Sequence, residues 1–117
     1  MISVVPFPLN SQYVSQVPSK CGVYALGYLN LSGNNFYVLY VGRSNNLNRR
    51  LQDHLPNNEV NPCLRRNRPT HFAYWVTRDE KEAYEAECWL YHDYSPLCND
   101  SHPAKPSGRL QCPVCGQ

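Results

Sequence analysis

The stretches 21–29 and 36–41 are both rich in β-branched and aromatic residues, and only Asn30-Leu31-Ser32-Gly33-Asn34-Asn35 separates them. Gly and Asn tolerate positive φ, so this spacing predicts a β-hairpin and commits the chain to building on a sheet. Gly42 is expected to end the second strand. Ser44 is then a plausible N-cap for a helix that carries Leu47, Leu51 and Leu55 at i, i+4 and i+8 and ends near His54 or Leu55. Residues 71–77, HFAYWVT, read as a third, buried strand. Residues 79–94 hold no Pro or Gly and repeat apolar side chains at Ala83, Leu90, Tyr91 and Tyr94, which predicts the main helix. Asp79 and Glu80 favour its positive end and Pro96 stops it. The order β-β-α-β-α implies an α/β (α+β) fold, a three-stranded, mainly antiparallel sheet flanked by helices.

At 117 residues the chain has room for one domain. Residues 1–20 carry Pro6, Pro8 and Pro18 and read as an extended lead-in, 21–99 as the domain, and 100–117 as a tail too broken by Pro and Gly to pack alone. Residues 56–69 hold three Pro and three Arg without periodicity and read as a surface loop. No window is apolar enough for a membrane helix, and the N-terminus lacks a basic region followed by a long apolar run. The expectation is a soluble, intracellular, cytoplasmic chain whose six Cys are thiols or metal ligands rather than disulfides.

Charge is unevenly spread. Residues 41–68 set six arginines, Arg43, Arg49, Arg50, Arg65, Arg66 and Arg68, against Asp53 and Glu59, whereas 78–100 hold seven acids against Arg78 and Lys81. One face should be basic although the net charge is only +2.

A few residues exceed what packing requires. Arg50 and His54 lie four apart on one edge of the first helix. Glu87 falls between Ala83 and Leu90 on the apolar stripe of the main helix, a costly place for an acid unless it is paired or binds a metal. Tyr24 and Tyr40 stand in adjacent strands, where packing alone would explain them. Together, Gly22-Val23-Tyr24, Tyr40-Val41-Gly42, Arg50, His54, Glu87 and Asn99 resemble the GIY-YIG nuclease superfamily across 21–99, with Val in place of Ile in both triplets.

The resemblance implies a divalent-metal-dependent DNA endonuclease that hydrolyses phosphodiester bonds. Tyr24 would be the general base, its pKa lowered by cations or metal-bound water. Glu87 would hold one Mg²⁺ or Mn²⁺, with Glu82 and Glu85 as competitors off the stripe. Arg50, with Arg49 as the adjacent candidate, would face the phosphorane charge, Tyr40 and His54 would bind phosphate or orient Tyr24, and Asn99 would fix the geometry. Arg43, Arg49, Arg65, Arg66 and Arg68 would grip duplex or branched DNA. Sequence preference is expected to be weak, or to come from the loop and tail, from homodimerisation or from a partner protein. The competing readings are a non-cleaving, zinc-stabilised nucleic-acid-binding module and a zinc adaptor for proteins.

Cys112-Pro113-Val114-Cys115 supplies half of a tetrahedral zinc site. Cys88 and His92, one helical turn apart, are the favoured other half of a structural zinc centre. Cys98 with His102 is the rival pair and Cys63 a further source.

Overall fold

The computed structural model describes residues 5–30 and 35–117. In chain order its elements are β1 (Phe7–Pro8), α1 (Ser11–Val14), β2 (Gly22–Asn30), β3 (Asn35–Ser44), α2 (Leu47–Asp53), α3 (Pro62–Asn67), β4 (His71–Val76) and α4 (Glu80–Tyr94). The expected hairpin is present, pairing antiparallel from Gly22↔Ser44 to Asn30↔Asn35, while its turn, 31–34, lies outside the described residues. β4 pairs antiparallel with the other side of β2, and β1 with β4, so the order is β1-β4-β2-β3.

The sheet therefore has four strands where three were expected. The lead-in is not simply extended: Phe7 packs its ring against Phe72 and Tyr74, with centroids 5.7 and 6.1 Å away, and that apolar contact anchors β1 on the sheet. Two further boundaries differ. β3 continues through Gly42 to Ser44, and α2 is capped by Asn46, whose side chain accepts from the Arg49 N–H, while the Ser44 hydroxyl accepts from the Asn46 N–H. The segment 56–69 is not all loop, because Asn61 caps α3 by accepting from the N–H groups of Cys63 and Leu64, and Pro62 opens the helix where its missing N–H costs nothing.

Each face of the sheet is covered. On one, Tyr24, Leu26, Leu39 and Phe72 pack with Val14, Leu47, Leu51 and Leu64 from α1, α2 and α3. On the other, Val23, Ala25, Val38 and Val41 meet Ala83 and Leu90 of α4. A second flank of α4, bearing Tyr84 and Cys88, is buried against Cys112 and Leu110 of the tail. Tyr94, expected on the buried stripe, is 40% exposed.

The cysteine expectation needs correction in one place. Cys63 of α3 and Cys98 are joined in a disulfide, and Cys21, Cys88, Cys112 and Cys115 are free. The Cys98 N–H donates to the Leu39 carbonyl, which holds Cys98 beside β3 with its Cα 5.4 Å from that of Cys63, within bridging distance. No helix of the described residues is long and apolar enough to cross a membrane.

Candidate active site

The two glycines of the triplets are required by close approach. A Cβ on Gly22 would strike the Trp75 carbonyl, and one on Gly42 would lie 2.5 Å from the Tyr24 hydroxyl oxygen. Gly42 thus leaves the space into which Tyr24 reaches. A β-bulge completes the arrangement. Leu26 pairs with Tyr40 and Gly27 with Val38, so Leu39 is the extra residue, and Tyr40 is turned onto the face that carries Tyr24. The Tyr24 and Tyr40 rings are 6.2 Å apart between centroids.

Behind Tyr24 runs a chain of buried hydrogen bonds. Its hydroxyl lies 2.8 Å from His54 Nε2, and His54 Nδ1 lies 2.6 Å from Glu59 Oε1. Glu59 is itself held by the N–H groups of Val60 and Asn61, which both donate to its Oε2. Burial pushes the His54 pKa down, although Glu59 opposes the shift, so the ring is neutral near neutral pH. A carboxylate at Nδ1 then selects the Nδ1–H tautomer and leaves Nε2 to accept the Tyr24 proton. Burial, joined by Tyr40, pushes Tyr24 above the ordinary tyrosine range even with Arg50 beside it. Arg50 does act in the expected direction, lowering the pKa, but burial outweighs it. Glu59 was missed because it follows His54 by five residues through a turn, where no periodicity marks it.

The neutral His54 has a stability signature. Its folded pKa lies below the ordinary 6.5, so between those values the unfolded chain binds more protons and stability rises with pH. That contribution is lost as pH falls from about 6.5 towards the folded pKa. Glu87, whose pKa is raised by burial, acts in the opposite sense at lower pH. Melting temperatures measured between roughly pH 7.5 and 5.5 should therefore fall with pH more steeply in the wild type than in His54→Gln, and parallel curves would reject the assignment.

Tyr24, Tyr40 and Arg50 from one face of the sheet and Arg43, Ala83 and Glu87 from the other line a cleft of about 330 Å³ beside Gly42. Glu87 is 7% exposed, and Arg43 Nη1 donates to its Oε1 at 2.6 Å. Arg43, expected among the DNA contacts, pairs this carboxylate and lies 5.3 Å over the Tyr84 ring. Of the competitors, Glu82 is spent at the start of α4, where its Oε1 accepts from the Arg78 N–H, and Glu85 does not line the cleft. Exposed Glu80, not anticipated, stands in the cleft wall. Glu87 beside an open cleft, with Glu80 on its wall, gives a mainly oxygen donor set that fits Mg²⁺ or Mn²⁺, with solvent and phosphate supplying the other ligands, although Cys21 also lines the cleft.

Asn99 acts on the backbone. Its Nδ2 donates to the Val41 carbonyl and its Oδ1 accepts from the Val41 N–H, both at 2.9 Å, which fixes the second triplet from outside the sheet. Arg50 reaches Asp53 at 3.4 Å and also lines the cleft, whereas Arg49 points to solvent. Arg65, Arg66 and Arg68 are exposed, and Arg65 and Arg68 border a second hollow that His54 and Glu59 also line. At the tail the structure brings together His92, His102, Cys112 and Cys115, whose ligand atoms lie within 4.8 Å of one another. Cys88 is not in this group. It packs under the tail with Tyr84 and Cys112, and burial pushes its thiol up to about 12, the behaviour of a small apolar residue. The rival pair also splits, His102 joining the cluster while Cys98 is held by Cys63.

A tyrosine hydrogen-bonded to a buried histidine across from a buried carboxylate, framed by two glycine-tyrosine triplets, defines a class of catalytic domain. Residues 20–97 match the GIY-YIG catalytic domain, and the chain belongs to that family as an endonuclease domain. Within it, the chain is 34% identical over 83 residues to UvrABC system protein C of Rickettsia felis and 32% identical over 88 residues to that of Caldicellulosiruptor saccharolyticus. These matches cover 70% and 74% of this chain, which spans only 12% and 14% of those relatives. The GIY-YIG N-terminal endonuclease domain of UvrC from Thermotoga maritima, bound to magnesium as its catalytic divalent cation, aligns with a TM-score of 0.60 at 25% identity, covering 75% of this chain and 92% of that one. A variant of the same domain with tyrosine replaced by phenylalanine, also bound to its catalytic cation, aligns with a TM-score of 0.61 at 24% identity, covering 77% and 93%.

Proposed function

We propose that this chain hydrolyses DNA phosphodiester bonds with a divalent cation at Glu87, and that Tyr24 and His54 work as one base. The observation that carries this reading is the chain from Tyr24 through His54 to Glu59, which ends at the cleft that holds Glu87. A tyrosine whose pKa is raised by burial is a poor base on its own. Here Tyr24 takes a proton from the attacking water as it passes its own to His54 Nε2, and Glu59 stabilises the imidazolium that results. The phenolate need not accumulate. Arg50 meets the charge that develops on the non-bridging phosphate oxygens. Arg43 holds the Glu87 carboxylate in position, and Tyr40, 5.5 Å from the His54 ring, completes the wall. A cation bound at Glu87 would neutralise charge on the leaving oxygen.

The test is cleavage of plasmid and of duplex, nicked, flap and junction DNAs with Mg²⁺ or Mn²⁺, repeated in EDTA. Metal-dependent scission is expected on at least one substrate, and binding without scission would return the chain to a non-cleaving module. Arg49, Arg65, Arg66 and Arg68 supply the sequence-independent grip in this reading, since all four are exposed. Replacing Arg65, Arg66 and Arg68 together with Ala should weaken binding to every sequence and reduce the slope of log affinity against log salt by about 2–3. An unchanged slope would mean that these side chains merely solvate the surface.

A further inference from the structure

We propose that the C-terminal tail holds a structural zinc ion through His92, His102, Cys112 and Cys115. Two sulfurs and two imidazoles whose ligand atoms all lie within 4.8 Å of one another form a complete four-ligand set. With Zn–S near 2.3 Å and Zn–N near 2.0–2.1 Å, tetrahedral geometry sets sulfur and nitrogen about 3.5 Å apart. Cys115 Sγ and His102 Nε2 already stand at 3.5 Å.

The side chains are prepared for a cation. His102 Nδ1–H donates to the Pro103 carbonyl at 3.0 Å, which fixes the tautomer that turns the Nε2 lone pair towards Cys115. His92 Nε2 is buried without a hydrogen-bond partner, a cost that a metal would remove. The His92 and His102 rings are 5.2 Å apart, so the tail brings its histidine alongside the one on α4. The two cysteines are presented by a turn in which Gly116 N–H donates to the Cys112 carbonyl and Cys112 N–H to that of Gln117, with Gly116 at φ +75°.

The site also answers how the tail is ordered. Residues 96–117 form no helix or strand, and their buried apolar contacts are few, yet they lie folded along α4. Ligation at His102 and at Cys112 and Cys115 ties the tail to His92 at two points. All four positions are filled by protein, so the ion is structural and distinct from the cation at Glu87. Ala104, two residues beyond His102, lines the catalytic cleft, so the same clamp steadies one wall of it.

The test uses the full chain, stripped with EDTA, reloaded with zinc and desalted. Metal analysis should give one zinc per chain in the wild type, in Cys88→Ala and in Glu87→Gln, and none in His102→Ala or Cys115→Ser. Cobalt(II) in place of zinc counts the sulfurs directly: its thiolate charge-transfer band should be unchanged in Cys88→Ala and reduced by half or more in Cys115→Ser. A wild type without zinc, a Cys88→Ala variant that loses zinc or part of the cobalt band, stoichiometric zinc in His102→Ala or Cys115→Ser, or zinc lost with Glu87→Gln would each overturn the assignment.

Discussion

Glu87→Gln should retain fold and DNA binding and lose at least about a thousandfold in cleavage rate, because an amide cannot hold a divalent cation in the cleft. The fold should survive because the amide oxygen can still accept from Arg43 where Oε1 does now. Burial raises the pKa of Glu87, so its neutral form is already less foreign to this site than to water. Single-turnover rates at saturating Mg²⁺, with melting temperature as the control, measure the effect. Cleavage at the wild-type rate would move the metal to another carboxylate, and Glu80 on the same cleft would be next in line.

Tyr24→Phe should slow cleavage by about 10²–10⁴-fold while DNA affinity stays within about twofold, since it removes the group that passes the proton and keeps the ring. The relay makes a second, sharper claim. Glu59→Gln should lower the rate without touching any group in the cleft, because an amide at Nδ1 neither enforces the tautomer nor stabilises the imidazolium. It should also move the acid limb of the rate profile to lower pH, since Glu59 is what raises the His54 pKa against the effect of burial. A wild-type rate and profile in Glu59→Gln would confine Glu59 to supporting the turn, and equal losses of rate and affinity in Tyr24→Phe would make that residue a binding group.

What the sequence disclosed depended on whether each residue's role was written in a local pattern. Gly22, Gly42, Tyr24 and Tyr40 were legible through the two triplets that resemble the family and not through any period, since packing alone would explain two strand tyrosines and the close approaches that the glycines permit exist only in the fold. Glu87 was legible as an acid between Ala83 and Leu90, and the structure finds it buried as that placement requires. β1 was not, because two residues show no alternation and its anchor, Phe7 on Phe72 and Tyr74, is a long-range contact. The bulge at Leu39 was hidden likewise, since it exists only in the register with β2. Glu59 and His102 reach their partners through turns, so no helical or strand period connects them to His54 or to His92. The Cys63–Cys98 link depends on where α3 lies against β3, which cysteine spacing does not encode.

The bonds that Asn99 and Cys98 make to β3 have a consequence beyond the site. β3 is the last strand of the sheet, and its outward amides and carbonyls would otherwise form an open template onto which a strand from another molecule could add. At Leu39 and Val41 such groups are occupied: the Leu39 carbonyl by the Cys98 N–H, and both backbone groups of Val41 by the Asn99 side chain. A second copy cannot lengthen the sheet here without first prying away the segment that shapes the second triplet. Self-association through that part of the edge, and the aggregation such contacts seed, would therefore carry the loss of catalysis with it, which ties the solubility of this edge to the integrity of the active site.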